Sequence, residues 1–430
     1  MKWKVPLILL LVLTSFTFSE EIKTGLNWGG VPAVAYNSDN GFTYGIILQP
    51  FHYGDGSMYP DYLFSVYSEL SRTTKGGGTN KLFFDSKYLL PADIRITSEI
   101  SLLTEKLLPF YGFNGFESEY RQGYELEDST SAYISRTYYR HAREQFRFTA
   151  DFQKQILHPK VRGVLGLGFL NTTVGNVDVD DINSKADDDT TPLPGISDST
   201  YLFEQYVSNG WIPAAEADGG ATNYLKLGLV YDTRDQEANP MSGMWTEALI
   251  TTAPEFLGTE TPYTQLTVTH RQYFTLIEKD LSFAYRVGYQ GALSGQPAFY
   301  MLPFFQSSYK MEEGLGGSKS LRGILKNRIV GTSFYFTNLE FRWKFFRTVV
   351  AGQNLYLALN GFTDLGQVLT PYELENVTIP AYSTEGLHLS YGAGFRIALN
   401  ENFIVAVDYG MAKDPQDGNS GLYIGLGYLY

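Results

Sequence analysis

Cysteine is absent from the whole chain, so neither disulfide staples nor thiolate metal sites are available, and the chain is compatible with an oxidising compartment. Charge is scarce: Asp, Glu, Lys and Arg make up 18% of the residues, against about 25% in soluble domains. Positive charge is scarcer still, with 33 Lys and Arg against 46 Asp and Glu, which removes the basic footprint that nucleic-acid binding needs. No stretch approaches about 18 consecutive apolar residues, so a helical membrane protein is excluded. The five histidines (His52, His141, His158, His270, His388) are scattered without metal-ligand spacing, and no G-x-S-x-G occurs. A lipase embedded in a membrane wall would need a Ser/His pair facing lipid. His270 beside Thr269 is the one loose candidate, and it reads better as an interfacial histidine. No catalytic residue, cofactor or metal is therefore expected.

What is abundant is glycine (43) and aromatics (32 Tyr, 29 Phe). Low charge, many glycines and many rings suit strands with one face in lipid and aromatic girdles at both interfaces. Lys2 and Lys4 precede the apolar run Val5 to Leu13, and small residues follow before Glu20. This predicts a secretory signal over 1–19, a short lead over 20–32 and a barrel over 33–430. Period-2 alternation is widespread. Leu225, Leu227, Leu229 and Tyr231 alternate with Lys226, Gly228, Val230 and Asp232, and Leu422 to Tyr430 alternates to the last residue. The pattern predicts an all-β fold, a sixteen-stranded antiparallel transmembrane barrel. The expected strands are 33–37, 42–52, 62–73, 80–90, 93–104, 132–157, 160–174, 222–235, 242–254, 264–276, 280–294, 332–347, 353–364, 387–399, 401–413 and 421–430. The even count puts both ends on the periplasmic side, and all long segments (105–131, 175–221, 295–331, 365–386) on the other. A first strand as short as 33–37 predicts few hydrogen bonds where it closes against the last.

The segment 295–331 carries Gly314-Leu-Gly-Gly-Ser-Lys-Ser-Leu-Arg322-Gly, a glycine-rich loop with one prominent cation. Inside a barrel a cation needs partners, because desolvation alone costs several kcal/mol. Candidates share the inward face of the next two strands. Glu340 has the parity of Asn338, Arg342 and Lys344, and Asp364 has that of Asn360. A planar guanidinium can bridge two carboxylates where lysine cannot, so Arg322 is expected to pair with Asp364, Glu340 or both. Asp232-Thr-Arg234-Asp235, with Gly243 downstream, is a turn in which two acids around one arginine could form an ion-pair clamp. The acidic run Asp178–Asp181 to Asp187–Asp189 lacks the Gly and Glu of a calcium loop and reads as a solvated external segment.

Four of these pieces carry a resemblance. The Gly316, Gly317, Arg322, Gly323 loop is similar to that of the BamA/TamA superfamily of outer-membrane barrels, although Ile324 stands where that family usually has Phe or Tyr. Asp232 to Gly243, Asn338-Leu-Glu340 and Gly361-Phe-Thr-Asp364 resemble the family's turn and two strands. The short lead predicts a barrel without the POTRA modules that receive clients in BamA-like members. The resemblance implies an inward-folded loop docked through Arg322. It also implies protein insertion or translocation at the outer membrane of a diderm bacterium, at the seam between first and last strands. A passive channel or structural barrel is the alternative. Tyr428 and Tyr430, ending an alternating strand, read as an assembly signal. The expected partners are outer-membrane lipids, the barrel assembly machinery and a client protein.

Overall fold

The computed structural model describes residues 24–37, 41–57, 62–90, 94–126, 132–184, 191–237, 239–350, 353–399 and 403–430. The signal over 1–19 lies outside the described residues. The strands are β1 (Leu26–Asn37), β2 (Gly41–His52), β3 (Phe64–Thr73), β4 (Gly77–Leu90), β5 (Ile94–Pro109) and β6 (Arg140–Ile156). They continue as β7 (His158–Gly175), β8 (Gly219–Asp232), β9 (Gly243–Ala253), β10 (Tyr263–Ile277), β11 (Leu281–Gly295), β12 (Phe304–Gln306) and β13 (Met311–Glu313). The last five are β14 (Ser333–Val350), β15 (Gln353–Thr370), β16 (His388–Leu399), β17 (Phe403–Ala412) and β18 (Ser420–Leu426). Among the described residues, sixteen of these form one closed ring in sequence order, while β12 and β13 pair only with each other. Ring closure is what lets strands cross hydrocarbon, because no backbone edge is left without a partner.

Alternation divides the two faces as the pattern predicts. Leu225, Leu227 and Leu229 are exposed on the outside while Lys226 and Val230 are buried within. Phe341, Trp343 and Phe345 face out, and Glu340, Arg342 and Lys344 face in.

Three expectations need correction. First, β1 begins at Leu26, so residues 26–32 belong to the barrel and not to a lead. Pro32 hides the strand in the sequence, yet proline is tolerated on an edge where its missing N–H deprives no neighbour. Second, β6 starts at Arg140, not 132. The preceding Tyr138 and Tyr139 pack with Tyr111 and Tyr120 in a cluster formed by the loops. Third, β18 ends at Leu426, because Gly427 adopts φ +83° and turns the chain inward.

The seam is sparse for a different reason from the one expected. β1 has twelve residues and pairs with β2 along all of them, but it meets β18 only at Tyr36↔Ile424 and Asn37↔Tyr423. The first strand is not short; the last one is. The two strands touch at the long-loop end and part toward the short-turn end.

Candidate functional site

The segment between β11 and β14 enters the lumen. Two glycines with left-handed backbone start its turn, Gly316 at φ +98° and Gly317 at φ +83°, and Gly317 N–H donates to the Ile324 carbonyl at 2.9 Å. Gly323 (φ +95°) meets the wall: a Cβ there would lie 2.5 Å from the Gly410 carbonyl carbon of β17. Its amide donates to the Tyr423 hydroxyl of β18 at 3.0 Å. The loop tip thus rests against backbone beside the seam, a fit that requires glycine on both sides.

Between these glycines Arg322 is 1% exposed and surrounded by acceptors. Nε and Nη2 donate to the two Asp364 oxygens at 2.9 and 3.0 Å, and the Arg322 amide adds a third bond to Asp364 at 3.0 Å. Nη1 donates to Glu340 at 2.6 Å and lies 3.8 Å from Asp408. The guanidinium carbon sits 3.5 Å from the Phe362 ring centroid. Both expected carboxylates are used. Asp408 and Phe362 were not singled out, although Asp408 has inward parity on its strand. The network continues through Arg342 to Glu340 at 2.8 Å and Arg396 to Asp408 at 2.9 Å. Arg322, Arg342 and Arg396 thus balance Glu340, Asp364 and Asp408, so the buried charge is compensated. Asn338 closes the set, donating to Asp364 at 2.8 Å and to the Ser320 carbonyl at 2.6 Å. Ile324 packs with Phe305, Leu315, Leu321, Ile329, Phe334, Phe336 and Val368, so an aliphatic side chain fills the position where the resembled family carries a ring.

Sequence reasoning missed two further attachments. The hairpin β12–β13 lies in the lumen between β11 and β14 on one side and, through its turn, β8 and β9 on the other. Lys226 pairs with Asp151 at 2.9 Å and donates to the Ser307 carbonyl at 2.7 Å, while Ser308 N–H donates to Glu247 at 3.0 Å. Within the hairpin, burial raises the Glu312 carboxyl, but the cations Lys310, Arg271 and Arg286 overcome it and hold it at about 2. Near the long loops, fully buried Arg328 donates to the carbonyls of Gln416, Gly115 and Ser118 at 2.6, 2.7 and 2.7 Å. His388 there stands between Asp417 (2.6 Å) and Glu385 (3.2 Å).

The turn after β8 is arranged differently from the predicted clamp. Arg234 engages Asp232 bidentately at 3.0 and 3.1 Å and lies 4.5 Å from the Trp245 ring centroid. Asp235 instead accepts the Met241 amide at 3.1 Å, so one acid pairs and the other shapes the turn. Gly243 (φ +91°) is required, because a Cβ would approach the Thr233 oxygen to 2.2 Å. Tyr428 and Tyr430 do not end a strand, since β18 stops at Leu426. Both rings lie inside near Arg342, at 4.4 and 4.9 Å, and Tyr430 donates to the Ala284 carbonyl at 3.0 Å. His270 does face outward, between Thr246 at 2.7 Å and Tyr285 at 3.2 Å. In the acidic segment Asp178 caps α1 (Val179–Ser184) through the Asp181 amide at 2.9 Å, and Asp187–Asp189 lie outside the described residues.

Comparison with known proteins fits this geometry. A family model described as the Omp85 superfamily domain matches residues 107–429. Among solved structures, BamA from Haemophilus ducreyi lacking POTRA domains 1-3 aligns at TM-score 0.55 and 15% identity, over 94% of this chain and 70% of that one. CdiB from Escherichia coli aligns at TM-score 0.52 and 9% identity, again over 94% of this chain and 62% of that one. Identities this low speak for the fold alone. No curated protein matches by sequence.

Proposed function

The chain belongs to the Omp85 superfamily, outer-membrane barrels of the insertion and translocation type, and on that premise we propose that it passes a client polypeptide into or across the outer membrane at the seam between β1 and β18. The observation that carries the reading is the difference between the two edges of β1, twelve paired residues on one side and two on the other. Unpaired amides and carbonyls facing hydrocarbon cost several kcal/mol each. An incoming strand would satisfy them by adding to the sheet edge, which is how extended segments gain affinity through main-chain bonds. The Arg322 network supports the same reading, since it fixes β14, β15 and β17 while leaving β1 free of the loop's ion pairs.

A photoreactive residue at Val34, on the exposed face of β1, tests this in cells. The expected result is a crosslink to a second polypeptide that disappears when a disulfide between Tyr36→Cys and Ile424→Cys locks the seam. Recovery of uncrosslinked barrel alone, with cell-envelope composition unaffected by the lock, overturns the proposal.

A further inference from the structure

Two cavities remain in the lumen beside β1 to β5, of about 370 and 740 Å³. They share Glu69, Thr73, Thr79 and Lys319, so they meet at one place. The larger is lined by inward Ala33 and by outward Val34 and Tyr36 of β1, with Ile424 of β18 opposite. It therefore passes through the barrel wall at the open half of the seam.

Arg322, Lys226, Arg342 and Arg396 each reach a carboxylate within 3.0 Å. Lys319, three residues before Arg322, is exposed to the chamber and makes no ion pair within 4 Å among the described residues, although the Glu313, Glu312 and Glu69 carboxylates act on its ammonium; its carbonyl accepts from Arg286 at 3.1 Å. Glu69 likewise has no cation within ion-pair distance. Its oxygens accept from the Tyr67 and Ser71 hydroxyls at 2.6 and 2.5 Å. A lysine and a glutamate, each without an ion pair within 4 Å among the described residues, thus line the same space, and an apolar exit leads to lipid.

We propose that this chamber binds a phospholipid with a zwitterionic headgroup, phosphate on Lys319 and ammonium on Glu69, its acyl chains leaving through the seam past Val34 and Gly427. Headgroup dipole and chamber dipole then match, and the chains cover apolar edge that β18 leaves bare. The site is built from side chains that a β-strand added to the edge of β1 does not need, so it is independent of client passage.

Native mass spectrometry of the full chain in mild detergent tests this, with phosphatidylethanolamine, phosphatidylglycerol and diacylglycerol added in turn. Retention should favour phosphatidylethanolamine. Lys319→Gln should lower it roughly tenfold, the scale of one charge-assisted contact, and Glu69→Gln should abolish the preference over phosphatidylglycerol. Lys319 has no pair to lose, so this variant should keep the gel mobility shift of the folded barrel. Equal retention of all three lipids, or unchanged retention in both variants, overturns the proposal. So does complete displacement by inorganic phosphate, which would reduce the site to an anion subsite, or a copurifying polypeptide in place of lipid. The Val34 crosslink does not depend on Lys319 and should persist in Lys319→Gln; a missing crosslink in the wild type counts against client passage alone, and unchanged lipid retention in the variants counts against the lipid site alone, which separates the two proposals.

Discussion

Replacing Arg322 by methionine removes one cation from a closed network and leaves Asp364 and Glu340 facing each other without it. Asp364 loses two of the three bonds that Arg322 gives it, and Glu340 loses its 2.6 Å contact while keeping Arg342. Breaking a buried pair from one side costs about 3–5 kcal/mol, because the abandoned carboxylate remains desolvated. The stacking on Phe362 adds about 2 kcal/mol where the cation is dry. Part of this returns if Asp364 is protonated, so about 4 kcal/mol is the expected net loss. Arg322→Lys should fall between, since it keeps the charge but cannot hold both Asp364 oxygens and Glu340 in one plane. Urea unfolding of the purified barrel in lipid vesicles measures the loss, and the double change Arg322→Met, Asp364→Asn should recover part of it, since it removes one charge of each sign and leaves Glu340 paired with Arg342. An Arg322→Met midpoint equal to wild type, or a double variant less stable than the single one, would refute the electrostatic account of the anchor.

Gly323→Ala should detach the loop tip from β17, because the new Cβ meets the Gly410 backbone at 2.5 Å and the left-handed backbone is strained for alanine; limited proteolysis should then cut between 314 and 332. Lys226→Met should cost about 3–5 kcal/mol by stranding Asp151, read as a lower urea midpoint. Deleting 304–313 should open the lumen and raise single-channel conductance in planar bilayers well above that of the intact protein; high conductance before deletion would instead favour a passive channel.

Much of the barrel was legible because lipid on one face and a packed lumen on the other force period-2 alternation. Arg322 could be placed with Glu340 and Asp364 because parity alone puts both carboxylates inside. The failures are equally physical. Pro32 reads as a strand breaker unless the strand is known to be an edge. Tyr138 and Tyr139 mimic a strand while serving an aromatic cluster among the loops. The inward turn of Tyr428 and Tyr430 depends on one glycine dihedral, which composition does not encode. The β12–β13 hairpin was invisible because each of its strands has only three residues.

The ring has one weak joint, between β1 and β18, next to a wall fixed by the Arg322 network. Amide hydrogen exchange on the purified full-length barrel in lipid nanodiscs addresses it directly. Amides of β18 and of the seam end of β1 should exchange orders of magnitude faster than those of β14 and β15, whose seventeen aligned residue pairs hold the anchored wall. Equal protection of β1, β18, β14 and β15 would contradict the claim.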